Sequence, residues 1–344
     1  MNKLKHDPNF QNVLDMLARR PTAKPVLFEF IINNGHIERL AGEPLNYESG
    51  DSDRILRLYV RAFWTAGYDY ALVPPWRLDM LNFPAAEREQ AESVGMAHGG
   101  VIQDRKSFEK YPWPDPEKTD WDVLERVKPH MPAGMKLLIC SPGGVLENLV
   151  SLLGYEELCF MLNDDPGLLH EITDAIGSRL LRYYEMGLQH DCVGAAMVND
   201  DWGFKTQPFL APQDMRKFIT PWHRRMVQAI HAAGRPALLH SCGELKLLWD
   251  DIIEDLKFDG KHSYEDTILP VEQAYEKYGS RIAILGGLDI DFLCRATPDA
   301  VYRRSKAMIE RTQLRGGYGL GSGNSIPDYI PAENFDAMRR AALE

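Results

Sequence analysis

The motif His240-Ser241-Cys242-Gly243 places two metal-binding side chains at the end of a predicted strand. The apolar run Pro236–Leu239 before it predicts a short buried strand, and the glycine predicts the turn that ends it. Residues two apart on a strand point to the same side, so the imidazole and the thiol emerge together. Both are common zinc ligands. The structural alternative, a small buried cysteine beside a hydrogen-bonded histidine, is the commoner meaning of a lone H-x-C pattern.

Zinc in proteins needs three or four ligands, so the pair requires a third side chain. Glu265, beyond the next predicted strand, is our first choice, and His262 is the second. Three protein ligands leave one position open for a substrate thiol or water. Zinc would lower the pKa of a thiol bound there and hold it as a thiolate, a strong nucleophile at neutral pH.

Carboxylates at strand ends are the candidates for acid–base chemistry. Asp200 and Asp201 follow one predicted strand, and Glu29 lies at the end of the first. The adjacent pair could bind basic nitrogens of a substrate or transfer protons. The alternative for the pair is a cap that opens the next segment. We therefore predict these three residues as catalytic candidates.

Further polar residues at strand ends are predicted to bind substrate. An active site of an α/β barrel lies at the carboxyl ends of its strands, where polar residues of this chain concentrate. Asp289 and Asn324 follow glycines and could instead be turn residues. The predicted substrate-binding residues are Asn199, Asn324, Ser322, Asp289 and His262.

Apolar strands alternating with helical patterns predict parallel βαβ units. Eight such strands predict an α/β fold, the TIM (β/α)8 barrel, and a doubly wound open sheet is the alternative. The predicted strands are Pro25–Ile31, Tyr68–Val73, Met135–Ser141, Gly194–Val198, Pro236–His240, Phe258–His262, Arg281–Leu285 and Gly317–Gly321.

The remaining segments predict one domain over residues 1–344. Residues 1–24 predict a helical lead-in, and the long insertion after the second strand predicts a lid over the barrel mouth or an extra helix packed outside. The predicted helices are Glu147–Leu162, Asp165–His190, Asp214–Ala233 and Pro298–Arg311, the last capped by Thr297.

Composition excludes several classes of partner. The chain has a formal net charge of −11 and no dense Lys/Arg tract, which argues against nucleic acid and anionic membranes. No apolar run approaches the roughly 18 residues of a membrane span, and no apolar leader is evident at the amino terminus. The 5 cysteines are widely spread, which predicts reduced thiols and a cytoplasmic protein.

Taken in order, several short stretches of the chain resemble the uroporphyrinogen decarboxylase superfamily, whose fold is a TIM barrel. The resemblance covers nearly the whole length and is strongest from Asp200 to Met338. The matching stretches are Arg19-Arg20-Pro21 with Pro25-Val26, Asp200-Asp201-Trp202-Gly203, Leu239-His240-Ser241-Cys242-Gly243, Tyr278-Gly279-Ser280-Arg281 with Gly286-Gly287-Leu288-Asp289, Gly321-Ser322-Gly323-Asn324, and Pro331-Ala332-Glu333-Asn334 with Ala337-Met338.

The resemblance implies one of two chemistries. True decarboxylases use no cofactor and bind the porphyrinogen through an aspartate and through arginines near the first strand. The segment Phe28–Gly35 of this chain lacks those arginines. The other branch contains zinc-dependent, corrinoid-linked methyltransferases, whose zinc site uses H-x-C plus a later cysteine. His240 and Cys242 match the first two positions, whereas Ser322 stands at the later one. Glu265 could compensate, as a glutamate does in the distantly similar cobalamin-independent methionine synthase.

The leading hypothesis is therefore a methyltransferase that moves a methyl group between a corrinoid carried on a partner protein and a small substrate. Zinc would be held by His240, Cys242 and Glu265. The alternatives are a decarboxylase of uroporphyrinogen or a related acid, with Asp200 or Asp201 as the anchoring carboxylate, and a non-catalytic binding barrel. The resemblance also implies a homodimer.

Overall fold

The computed structural model describes residues 6–78, 80–85 and 100–344 of the chain. Its central sheet has eight parallel strands in the order β1-β9-β8-β7-β6-β5-β4-β3, and a two-stranded sheet pairs β2 with β10. The strands are β1 (Val26–Leu27), β2 (Ile31–Ile32), β3 (Tyr70–Val73), β4 (Lys136–Cys140), β5 (Val193–Asn199), β6 (Ala237–His240), β7 (Gly260–His262), β8 (Ala283–Leu285), β9 (Tyr318–Leu320) and β10 (Ser325–Ile326).

Helices follow most of these strands. The α-helices are α1 (Gln11–Leu17), α2 (Asn34–Ala41), α3 (Ser52–Ala66), α4 (Arg105–Lys110), α5 (Asp122–Val127), α6 (Val145–Leu153), α7 (Tyr155–Asp164), α8 (Pro166–Gly187), α9 (Pro212–Asp214), α10 (Thr220–Ala232), α11 (Val271–Tyr278), α12 (Ile290–Arg295), α13 (Pro298–Thr312) and α14 (Ala332–Leu343). Two π-helical segments, Met215–Ile219 and Asp251–Asp255, and four 3₁₀ turns, Tyr47–Ser49, Pro75–Arg77, Pro116–Lys118 and Lys128–His130, complete the set.

The fold is the predicted TIM-like α/β barrel, and each of the eight predicted barrel strands is present with ends shifted by a few residues. The strands are short and almost wholly buried because helices cover a parallel sheet, so their side chains are apolar on both faces. Parallel pairing brings every carboxyl end to one rim. The site residues therefore meet there although they are far apart in sequence.

The sheet closes differently at one seam. In the described chain no ladder pairing joins β1 to β3. The Tyr70 hydroxyl instead accepts a hydrogen bond from the Glu29 amide at 2.7 Å and donates one to the Glu29 carbonyl at 2.5 Å. One side chain thus fixes the chain just after β1 against β3.

Three helical predictions need correction. The predicted helix Glu147–Leu162 is two helices, because Gly154 ends α6 with a φ of 83°. The lead-in predicted over residues 1–24 contains only the short helix α1, and residues 1–5 lie outside the described residues. The segment predicted as Asp214–Ala233 begins at α9 and runs through a π-helical turn into α10.

Within the insertion after β3, residues 113–117 pack against α8 outside the barrel, as the alternative to a lid predicts, whereas Trp76 lies near Phe30. Arg179 of α8 donates to the Pro114 carbonyl and stacks on the Trp113 ring, and Arg182 donates to Glu117. Asp79 and residues 86–99, which belong to the predicted lid, lie outside the described residues. None of the described helices is long and apolar enough to cross a membrane.

Candidate active site

His240 and Cys242 lie together at the carboxyl end of β6. The His240 Nε2 and the Cys242 Sγ are 3.7 Å apart. His240 is 7% exposed, and Cys242 is half-buried. The pair therefore sits at the rim of the barrel interior and not on an open surface.

A second histidine determines which nitrogen of His240 is free. The His262 Nε2 lies 3.2 Å from the Ser322 carbonyl, which can only accept, so this nitrogen carries a proton. Burial holds the pKa of His262 well below its usual value, so the ring is neutral and its Nδ1 is bare. The His240 Nδ1, 2.8 Å away, must donate to it. Burial lowers the pKa of His240 to about 3, so its Nε2 keeps a free lone pair beside the Cys242 sulfur.

The Cys242 sulfur accepts hydrogen bonds from the rim. The Asn324 Nδ2 donates to it at 3.1 Å, and the Ser263 Oγ lies 3.5 Å away. Burial, followed by the charge of Asp201, raises the pKa of the Cys242 thiol. A bound metal ion would favour the thiolate form, as the charge of Lys261 already does.

Asp201 lies next to this pair. Its Oδ1 accepts from the Cys242 amide at 2.8 Å and is 3.7 Å from the His240 Nε2. Ligand atoms of Asp201, His240 and Cys242 all lie within 4.8 Å of one another. Ligands of a tetrahedral zinc ion would lie about 3.3–3.6 Å apart, as follows from metal–ligand bonds of about 2.0–2.3 Å. The side chains thus fit a zinc ion after small movements.

The third ligands expected from sequence are not in this group. Glu265 is absent from it, because the chain turns away after Tyr264, whose amide donates to the Gly323 carbonyl. Glu265 instead borders a small pocket with Glu244 and Lys261. His262 is fully buried behind His240, with both ring nitrogens bonded, so it supports His240 and is neither a ligand nor a substrate contact. Neither Glu265 nor His262, the residues predicted as third ligand, belongs to the group that His240 and Cys242 form in the described structure.

Glu29 and Ser322 form a buried pair. Both are fully buried, and the Ser322 hydroxyl and amide donate to the Glu29 carboxylate. Burial raises the pKa of Glu29 to about 8. Burial thus favours the protonated form of Glu29 at neutral pH, and its side chain is closed to solvent in this structure. Ser322 is likewise closed to substrate and to metal, because its hydroxyl is directed to Glu29.

Asp200 stabilises a helix and is not exposed to substrate. Its two carboxylate oxygens accept from the amides of Leu146 and Glu147 at 3.0 and 2.9 Å, in the first turn of α6. The His223 Nε2 lies 3.1 Å from it, and both side chains are fully buried. Negative charge at a helix amino terminus is stabilising. The capping alternative expected a cap for the segment after Asp201, whereas the helix that Asp200 caps, α6, lies upstream of it.

Two predicted substrate contacts are also structural. Asp289 caps α12 by accepting from the amides of Asp291 and Phe292, and its other oxygen accepts from the Asp266 amide. The Asn199 side chain is 7% exposed and packs on the Ser141–Gly143 turn. Asn324 alone of the predicted substrate-binding residues is half-buried at the rim and bonded to Cys242.

Sequence reasoning missed two ionisable residues. Glu147 accepts from the Gly144 amide in a capping box, and burial with the neighbouring Asp200 and Asp201 raises its pKa to about 8. Its signal was the glutamate three residues after a glycine that opens a helix. Lys261 is 3% exposed and donates to the Ser263 carbonyl, and burial lowers its pKa to about 8. The position of Lys261 inside the predicted strand Phe258–His262 gives no such signal.

Aromatic rings form one wall beside the pair. The Phe30 ring lies 4.5 Å from the His240 ring between centroids, and the Trp76 ring is 6.4 Å from Phe30. Trp76 is 39% exposed, so this wall runs from the surface to the buried histidine. Together, the His240 nitrogen, the Cys242 thiol and the Asp201 carboxylate can bind a metal ion. The apolar wall can exclude water from one side of that ion.

Curated relatives match parts of the chain. A uroporphyrinogen decarboxylase from Alkalilimnicola ehrlichii is 24% identical over 69% of this chain and 66% of its own length. A uroporphyrinogen decarboxylase from Hydrogenovibrio crunogenus is 23% identical over 54% of this chain and 50% of its own length. The chain thus spans about half the length of several of the curated relatives it matches.

A solved structure matches over almost the full chain. A methyltransferase from Methanosarcina mazei superposes with a TM-score of 0.71 over 96% of this chain and 97% of its own, at 15% sequence identity. At that identity the likeness shows the fold alone. The family model for uroporphyrinogen decarboxylase (URO-D) matches residues 99–344, well over half of the sequence. The chain therefore belongs to the uroporphyrinogen decarboxylase family.

Proposed function

We propose that the protein is a methyltransferase of this family, which moves a methyl group between a corrinoid on a partner protein and a small substrate. The observation that supports it is the His240–Cys242 pair, with the free Nε2 lone pair of His240 beside the sulfur. A buried thiol with a raised pKa and an imidazole with a bare nitrogen suit a metal site and have no evident part in decarboxylation. The likeness in fold to a methyltransferase agrees with this proposal.

In this proposal His240 and Cys242 hold zinc. When bound there, zinc would lower the pKa of a substrate thiol or polarise the heteroatom that carries the methyl group. The corrinoid of the partner protein would supply the methyl group as a cation equivalent and keep both electrons of the Co–C bond, and a substrate thiol that has lost its proton to water would accept the methyl group on a sulfur lone pair. The chain's own residues position these reactants.

Each side chain of the rim has a defined part. The His240 ring is held by His262 on one edge and by the Phe30 face, so its Nε2 keeps one direction. The Asn324 amide donates to the Cys242 sulfur and stabilises negative charge on it. The Phe30 and Trp76 rings cover the approach with apolar surface, which suits an apolar methyl group.

Decarboxylation is the second candidate, because the curated relatives carry that name and Asp201 offers a carboxylate at the rim with 35% of its side chain exposed. The charges around the rim disfavour it. Glu244 and Glu265 border a pocket next to the rim together with Lys261, and Asp201 adds a third carboxylate, so carboxylates outnumber the one lysine among these groups. A polyanionic porphyrinogen would be repelled by these groups.

One assay separates the two candidates. Protein purified without chelator is mixed with methylcobalamin and a panel of small thiols, and cobalamin spectra report loss of the methyl group. We expect turnover that Cys242→Ser abolishes and Cys294→Ser, a half-buried cysteine remote in sequence, does not change. Formation of coproporphyrinogen from uroporphyrinogen, without methyl transfer and unaffected by Cys242→Ser, would replace the proposal with decarboxylation.

A further inference from the structure

We infer that Asp201 is the third protein ligand of this metal site, which makes it a histidine–cysteine–aspartate site with one sulfur. The inference rests on the proposed metal site and deepens it. Catalytic zinc sites use three protein ligands and leave a fourth position open. His240 and Cys242 provide two, so one further donor has to come from a neighbouring strand end.

Strand register brings Asp201 to this position. Asn199 of β5 is paired with His240 of β6. Two residues further along each chain stand Asp201 and Cys242, and the Cys242 amide donates to the Asp201 Oδ1 at 2.8 Å. Asp201 and Cys242 therefore lie side by side, just beyond the carboxyl ends of two adjacent strands. The Asp201 Oδ1 to His240 Nε2 distance of 3.7 Å equals the distance from that nitrogen to the Cys242 sulfur.

The competing donors are used elsewhere. The Ser322 hydroxyl donates to the buried Glu29 carboxylate, so the position where the family resemblance places a cysteine cannot reach the pair. Asn324 presents its amide nitrogen to Cys242, and the lone pair of a neutral amide nitrogen is delocalised into the carbonyl, so this atom is not a metal ligand. Glu265 is not in the group within 4.8 Å. Among the described histidine, cysteine, aspartate and glutamate residues, Asp201 is the one that remains within 4.8 Å of both members of the pair; the Ser263 hydroxyl is also close to the sulfur, but a neutral hydroxyl is a poor zinc ligand.

The His240 lone pair is an independent sign of a ligand at this point. The bond to His262 and the bond from His262 to Ser322 leave the Nε2 bare, and it faces both Asp201 and Cys242. A histidine that gives its other N–H to a fixed partner is the usual arrangement around protein-bound metals. A thiolate and a carboxylate together neutralise a divalent cation, so the predicted site is electrically balanced.

A carboxylate in place of a second thiolate changes the chemistry of the ion. Thiolates donate more electron density than carboxylates and favour softer partners. A site with one sulfur leaves the ion more electron-poor, and the open position then binds an anionic thiolate or alkoxide substrate more firmly. The inferred substrate class is therefore a small molecule that presents a thiol or an oxygen to the metal.

Zinc affinity of matched variants tests the inference. Asp201→Asn keeps the oxygen that accepts from the Cys242 amide but removes the charge, and Glu265→Gln is the matched control one strand away. Loss of a residue that only contacts a ligand typically lowers metal affinity by roughly 10–100-fold, and loss of a ligand should lower it more. We therefore expect the zinc affinity of Asp201→Asn to fall by at least about 100-fold and that of Glu265→Gln to stay unchanged. Competition with a chelating dye measures both affinities. Unchanged affinity in Asp201→Asn, or a loss in Glu265→Gln, would overturn the assignment.

X-ray absorption at the zinc edge gives a second measurement on the unaltered protein. We expect the zinc ion to have one sulfur neighbour and a shell of nitrogen and oxygen neighbours. A second sulfur neighbour would contradict the ligand set, and so would a failure of the protein to retain zinc. Neither measurement uses a methyl donor. If zinc is bound by these three residues but the protein does not transfer methyl groups, only the proposed function is refuted. Methyl transfer with intact zinc affinity in Asp201→Asn would refute only this inference.

Discussion

The Nδ1 atoms of His240 and His262 lie 2.8 Å apart across neighbouring strands. The register of β6 and β7 pairs the two residues directly, which places the two rings side by side at the rim. His262 is anchored in turn by the Ser322 carbonyl, and Ser322 by Glu29. Contacts thus run from Glu29, the buried acid after β1, to His240, and they leave the Nε2 of His240 free.

Replacing His262 should weaken metal binding although the residue is not a ligand. His262→Phe keeps an aromatic ring beside Phe28 but leaves the His240 Nδ1 proton without an acceptor, so either tautomer of His240 becomes available. We expect zinc affinity to fall by roughly 10–100-fold, the usual effect of removing an outer-shell partner. Competition with a chelating dye measures the loss. His36→Phe, which changes a buried histidine packed on Phe335, serves as control; equal losses in both variants would point to general destabilisation.

Glu29 should make stability depend on pH. Its pKa is about 8 in the folded protein against a usual 4.5, because burial disfavours the charge. As pH rises from 4.5 to 8 the unfolded chain releases this proton while the folded chain keeps it, so the free energy of unfolding falls; above 8 both are ionised and the fall ends. Glu29→Gln has no proton to release, so its free energy of unfolding does not fall in this way. The free energy of unfolding of the variant minus that of the original protein should therefore rise between pH 4.5 and 8, by up to about 1.4 kcal/mol per pH unit. Denaturant unfolding at several pH values measures it, and a flat difference would contradict the buried acid.

Asp200→Ala should destabilise the fold without removing the metal site. The substitution leaves the amides of Leu146 and Glu147 without their acceptor, which should cost roughly 2 kcal/mol or more. Zinc content per chain should stay the same, because Asp200 contacts His240 through its backbone amide, which the variant keeps, while its carboxylate contacts α6 and His223. Asp289→Ala, which removes the cap of α12, is the matched control and should behave alike. Full stability in Asp200→Ala with loss of zinc would instead place this carboxylate in the site.

The sequence predicts the fold well, and it predicts that His240 and Cys242 lie together at a strand end, because both features follow from local patterns. Short apolar runs separated by helical patterns give all eight barrel strands, and the H-x-C spacing places His240 and Cys242 on one side of a strand end. Both depend on neighbours along the chain, which a sequence displays directly.

The contacts between strands are what the sequence does not display. Whether Glu265 or Asp201 meets the pair depends on register, since the offset of β5 against β6 sets Asp201 beside Cys242. The direction of the Ser322 hydroxyl depends on Glu29, 293 positions away. Asp200 and Asp201 are neighbours in sequence yet one caps a helix and the other faces the rim, because successive residues at a strand end point to opposite sides.

Tyr70 and Tyr68 offer a matched test of how the barrel closes. Both side chains are fully buried and both rings pack near Phe63. The Tyr70 hydroxyl holds the Glu29 amide and carbonyl, whereas the Tyr68 hydroxyl is without a hydrogen-bond partner among the described residues. Tyr70→Phe therefore leaves two buried backbone groups unpaired, at about 1–3 kcal/mol each.

We expect Tyr70→Phe to lower the free energy of unfolding by several kcal/mol and Tyr68→Phe to leave it unchanged or slightly higher, because the latter removes a buried hydroxyl that has no partner. Denaturant unfolding of the two variants measures the difference, and the shared loss of one oxygen cancels between them. Because Glu29 follows β1 directly, Tyr70→Phe should also increase hydrogen exchange of the Glu29 amide. Equal stability of the two variants would mean that packing around β1 and β3, and not the hydroxyl, holds this seam together.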